Sequence, residues 1–97
     1  MPPLEHAEIE QRLAGRKNWR LSEGRSPDAI EREWTLSDFA AAIAFVNSVA
    51  ELAEQANHHP DILLHGWNNV RLTLSTHSEG GLTDADFQLA EEVDRLA

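Results

Sequence analysis

The sequence predicts a two-layer α+β fold in the order α-β-β-α-β-β-α, with helices packed on one face of a four-stranded antiparallel sheet. Three observations lead there. Residues Ser37 to Ala56 place apolar side chains at three- and four-residue spacing, and Pro60 closes the segment. Stretches on either side of it alternate apolar and polar residues at period two, with turn residues between them. After Gly80-Gly81, Thr83-Asp84-Ala85-Asp86 has the form of a capping box at the head of a last amphipathic segment.

The first element is a weak helix over about Leu4 to Ala14. Its apolar contacts are only Leu4, Ile9 and Leu13, so loose packing is expected, and Gly15 is placed to end it with φ > 0. From Trp19 to Leu36 the signals change. Gly24 and Ser26-Pro27-Asp28 are turn chemistry. Ile30, Trp34 and Leu36 share one side at period two, interrupted by Arg32, while Glu31, Glu33 and Thr35 take the other, which predicts two antiparallel strands joined by a turn.

The long helix opens at Ser37, a good N-cap, and runs to about Ala56 with Phe39, Ala42, Ile43, Val46, Val49, Ala50, Ala53 and Ala56 on its apolar side. Such a helix is about 30 Å long. It must end by His59, because the residue before a proline is pushed out of the helical region. Asp61 to His65 and Val70 to Thr76 then read as two more strands connected by Gly66-Trp67-Asn68-Asn69. In the second, Val70, Leu72, Leu74 and Thr76 take one face and Arg71, Thr73, Ser75 and His77 the other, so His77 is expected to point away from the core. The closing helix carries Phe87, Leu89, Ala90, Val93 and Leu96, with Leu82 and Phe87 as a hydrophobic staple.

Composition narrows the function. The 97 residues make one domain, 1–97, with no internal repeat and no linker. Eight basic against 17 acidic residues give a formal charge of -9, which repels phosphate backbones and anionic lipid, so neither nucleic acid nor a membrane is an expected partner. The absence of cysteine excludes disulfides, thiolate nucleophiles and Fe–S clusters. No run approaches the roughly 20 apolar residues of a membrane span, and the N-terminus lacks the pattern of a signal peptide, so a cytoplasmic address is expected. A thin core, about 64% of the extended surface hidden on folding, would be helped by self-association.

Four of the five histidines fall between His58 and His77, two of them adjacent at the end of the long helix. Helix carbonyls there favour a protonated imidazole, so His58 or His59 could act as a general acid near neutral pH, with His77 reaching the same cleft from the sheet. Two or three histidines without a nucleophile suit proton transfer and water elimination. The same pair could also serve only as partners of the helix end. A metal site built on His58, His59, His65 and Asp61 is disfavoured, since adjacent residues rarely point at one ion. Trp19, Trp34 and Trp67 are core residues by default, Trp67 having the best claim to line a pocket.

Asn57-His58-His59-Pro60-Asp61, followed by Trp67-Asn68-Asn69-Val70, Leu74-Ser75-Thr76-His77 and Gly81-Leu82-Thr83 with Asp86, resembles the signature of the pterin-4a-carbinolamine dehydratases. The likeness extends over most of the chain from Trp19 onward, with Trp34, Asp38-Phe39 and Ala53-Glu54 also compatible. Two departures stand out: Ser78 follows the Thr-His where relatives often carry an acid, and the segment from Pro60 to Val70 is one residue longer than in some of them.

The resemblance implies a hydro-lyase that removes water from 4a-hydroxytetrahydropterin to give quinonoid dihydropterin, with no metal and no organic cofactor, in the service of an aromatic amino acid hydroxylase. It implies His58, His59 and His77 as the catalytic residues. The implied pterin-binding set is Glu54, Asn57, His58, His59, Trp67, Ser75, Thr76, His77, Ser78 and Asp86. Self-association as a homodimer or homotetramer is implied as well. The alternative is a binding or assembly module on the same fold, with a protein partner and little catalysis.

Overall fold

The computed structural model describes residues 2–96. Its elements are α1 (His6–Ala14), β1 (Arg20–Leu21), β2 (Ile30–Thr35), α2 (Phe39–Ala56), β3 (Asp61–His65), β4 (Asn69–Leu74), a 3₁₀ turn (His77–Glu79) and α3 (Asp84–Asp94). All strand pairs are antiparallel and the sheet order is β1-β2-β4-β3. The α-β-β-α-β-β-α fold expected from the sequence is therefore present.

Register follows the period-two pattern. Ile30 pairs with Leu74, Arg32 with Leu72 and Trp34 with Val70, and the apolar members of these pairs are buried beneath the helices. Arg32 interrupts this face because it has a specific partner. Its Nη1 meets Asp94 Oδ1 at 2.6 Å, and its guanidinium lies 4.5 Å from the Trp34 ring centre. Asp94 also accepts from Trp19 Nε1 at 2.9 Å, so one carboxylate ties β2, α3 and the segment before β1 together. Trp19 meets Trp34 edge to face and Trp34 meets Phe45 at a tilt, with ring centres 5.7 Å and 4.9 Å apart, within one continuous core.

Several local expectations are corrected. α1 begins at His6, and Gly15 ends it at φ −87°, without the left-handed geometry anticipated there. Nor is α1 loosely held: Ile9 is buried in the core, and Leu4 N–H donates to Leu82 O at 2.7 Å. The N-cap of α2 is Asp38, not Ser37. Its Oδ1 accepts from Ala41 N at 2.7 Å, a charged acceptor one residue nearer the helix. The buried stripe of α2 runs through Ala42, Phe45, Val49 and Ala53, leaving Phe39 and Ile43 exposed. β4 ends at Leu74, two residues early, because Ser75 turns inward and donates from Oγ to Asp28 O at 2.7 Å.

Candidate active site

The end of α2 is shaped by Asn57. It adopts the left-handed conformation at φ 51°, which asparagine tolerates better than most residues, and the reversal lets His58 N–H donate to Ala53 O at 3.1 Å. The His58 backbone thus caps the helix, while its side chain is carried back over the head of α3. Nε2 of His58 lies 2.6 Å from Oδ1 of Asp86, whose side chain is fully buried.

Asp86 divides its two oxygens between separate tasks. Oδ2 completes the capping box by accepting from Thr83 N–H at 2.9 Å, and it also accepts from the Thr76 hydroxyl at 2.7 Å. Oδ1 meets His58. The cap and the contact to histidine are therefore compatible in one carboxylate, and a buried acceptor receiving several donors is held rigidly.

Thr76 brings the third segment in. Its N–H donates to Gly81 O at 2.8 Å and Gly81 N–H returns to Thr76 O at 3.3 Å, a bridge that pinches off the turn carrying His77, Ser78 and Glu79. His77 and Ser78 are exposed on that turn. His77 does face away from the core, as expected, but by this turn and not by continued strand parity. The loop closes at Gly80, whose φ of 79° suits glycine.

The remaining candidates are placed as follows. His59 is exposed and its Nε2 pairs with Oε2 of Glu54, one turn back along α2. Asn57 is exposed and serves the chain reversal; Ser75 serves the inward turn. Trp67, expected in the core or lining a pocket, sits at the tip of the β3–β4 hairpin with φ 60° and 61% exposure. That tip lies at the other end of β3 from Pro60, so this monomer does not bring Trp67 to His58. The other side chains with metal-ligating chemistry scatter as well: His65 pairs with Glu33 and Asp61 with Arg25. Among the described residues, no three His, Asp or Glu side chains gather as a metal site.

A groove of about 240 Å³ opens beside His58, between the end of α2 and the first turns of α3. Gln55, Ala85, Gln88 and Glu92 line it with His58. Sequence reasoning passed over these four. The available signal was the i, i+3, i+7 spacing of Ala85, Gln88 and Glu92, which puts them on one side of α3. Such an arrangement offers an imidazole held by a buried carboxylate, polar side chains able to bind a flat heterocycle, and two further histidines on adjoining chain segments.

The model of the family described as Pterin 4 alpha carbinolamine dehydratase matches residues 2–96. A Gloeobacter violaceus protein, provisionally named a pterin-4-alpha-carbinolamine dehydratase, is 54% identical over 83 residues, 86% of this chain and 89% of its own. A Chloroflexus aurantiacus protein with the same provisional name is 50% identical over 99% of this chain and 98% of its own. Among solved structures, a transcriptional coactivator/pterin dehydratase from Brucella melitensis superposes with a TM-score of 0.89, at 34% identity and 98% coverage of both chains. A pterin dehydratase-like protein described as a RuBisCO assembly factor in the alpha-carboxysome superposes with a TM-score of 0.67, at 30% identity, over 82% of this chain and 89% of its own.

Proposed function

The chain belongs to the pterin 4 alpha carbinolamine dehydratase family, and from that premise we propose that it removes water from a 4a-hydroxytetrahydropterin to give the quinonoid dihydropterin. The observation that supports this most is the meeting of three separated segments at one carboxylate: His58 after α2, Thr76 before the His77 turn, and Asp86 at the head of α3.

Elimination needs one proton delivered to the leaving 4a-hydroxyl and one taken from a ring nitrogen, and imidazole can do either near neutral pH. In this proposal His58, His59 and His77 divide those transfers. Glu54 and Asp86 hold His59 and His58 respectively. Gln55, Gln88 and Glu92 form the wall beside His58, Thr76 ties the turn carrying His77 and Ser78 to Asp86, Asn57 and Ser75 hold the chain reversals behind them, and Trp67 contributes only where a second copy brings its hairpin near. The reaction asks for no metal and no organic cofactor, and recycling of a hydroxylase's pterin in the cytoplasm is the setting it fits.

The test is the rate of 4a-hydroxytetrahydropterin dehydration by wild type, His58→Ala and His77→Ala, with folding checked by circular dichroism. Acceleration by the wild type and a loss of at least about tenfold in each variant, some 1.4 kcal/mol of barrier, are expected. Wild-type rates in both folded variants would sink the proposal.

A second reading, a protein-binding module, draws support from two solved relatives, one described as a transcriptional coactivator as well as a pterin dehydratase and the other as an assembly factor. Partner capture by a wild type that leaves the dehydration rate at the buffer level would favour it.

A further inference from the structure

The hydrogen bonds around Asp86 run in one direction. Thr76 has a single hydroxyl proton, and it goes to Asp86 Oδ2 at 2.7 Å. The 2.9 Å contact between the Thr76 and Thr83 hydroxyls must then use the proton of Thr83. Thr83 Oγ1 in turn accepts from Ala85 N–H, the second amide of α3, at 3.3 Å. The chain therefore reads Ala85 N–H to Thr83 O–H to Thr76 O–H to Asp86, and each link polarises the next. Thr83 N–H adds a second donor to the same oxygen.

Asp86 is thus an acceptor at Oδ2 twice over, an arrangement that suits a carboxylate, whose Oδ1 has only acceptor capacity to offer. Across the 2.6 Å contact between His58 Nε2 and Asp86 Oδ1, a carboxylate at Asp86 requires the proton to come from Nε2. A neutral imidazole has one N–H, so fixing it on Nε2 leaves Nδ1 as the lone-pair nitrogen. From this geometry we infer that Thr76 is a positioning residue: its hydroxyl orients Asp86 so that His58 is held with the proton on Nε2 and with Nδ1 as the atom that exchanges protons with the substrate. The same residue ties down the His77 turn through its backbone bridge to Gly81, so one threonine registers two histidine-bearing segments against each other. The proton-exchange half of this inference rests on the dehydratase reading; the positioning half does not.

The deciding experiment is a long-range nitrogen–proton correlation spectrum of the histidine rings in the free protein at alkaline pH, on wild type, Thr76→Val and Thr76→Ser, with dehydration kinetics alongside. The wild type is expected to show His58 as the Nε2–H tautomer. In Thr76→Val the His58 nitrogens should move toward a tautomer mixture, and kcat should fall about tenfold or more with KM little changed. Thr76→Ser, which keeps the hydroxyl, should restore both.

A wild-type His58 carrying its proton on Nδ1, or a folded Thr76→Val with an unshifted His58 spectrum, would overturn the inference. Should Thr76→Val fail to fold, the wild-type tautomer and the Thr76→Ser spectrum decide alone. Because the spectrum needs no pterin, an Nε2–H ring in a protein inactive on pterin would sink the dehydratase reading and leave the positioning role standing.

Discussion

Asp86 is where the energetics of single residues concentrate. Replacing it with alanine removes the acceptor shared by Thr83 N–H and the Thr76 hydroxyl, which stay in place, together with the partner of His58 Nε2. Stranding buried donors costs more than the net worth of the bonds themselves. Asp86→Ala should therefore lower stability by about 3 kcal/mol, read as a shifted midpoint in urea unfolding.

Glu31 behaves oppositely, at the sheet surface. A hydrogen bond from Ser22, with help from Arg20 and Arg71, holds its carboxyl below the ordinary glutamate value. A carboxyl lowered in the folded state stabilises above its unfolded value of about 4.3, and this contribution is lost as pH falls through the folded value. Glu31→Gln should flatten the acid limb of the stability–pH curve and leave the slope above pH 6 unchanged, as measured by thermal melts across pH.

At the scale of elements, local signals specified where helices and strands lie, and neighbouring contacts chose among close alternatives. Ser37 and Asp38 are both good N-caps by type. Asp38 has the role because its carboxylate reaches Ala41 N. Asp38→Ala should cost about 1 kcal/mol and Ser37→Ala close to nothing, a difference that chemical denaturation of the two variants would resolve. β4 illustrates the limit of strand parity. Alternation holds from Val70 to Leu74 and fails at Ser75, where a hydrogen bond to Asp28 O outcompetes one more ladder position.

Across the whole molecule, the unfinished surfaces lie on α2 and β3. Phe39 and Ile43 on the helix and Ile62 and Leu63 on the edge strand are all exposed, Leu63 at 49%. Leu63 pairs with Arg71 on the sheet face turned from the helices, and β3 has no strand on its outer side. An open apolar edge of this kind is a template for pairing with another chain. Self-association through β3 is the corresponding prediction: wild type should exceed monomer mass in light scattering at micromolar concentration, and Leu63→Lys should shift it toward the monomer. A monomeric wild type would refute this.

The sequence by itself determined the order of elements, the faces of the strands, the break before Pro60 and the capping box. All of these rest on interactions within a few residues: period-two and period-3.6 alternation, proline sterics, an N-cap and its third residue. The site was legible as four motif segments and a cluster of histidines. Only the tertiary structure decided that β2 pairs with β4, that Phe45 and not Ile43 faces the core, that Trp67 stands exposed, and that His58, Thr76 and Asp86 meet. Periodicity states which side of an element is apolar but not which neighbour covers it. The meeting at Asp86 joins residues 28 and 10 positions apart, a distance over which chain reversal and packing, not local spacing, set the geometry.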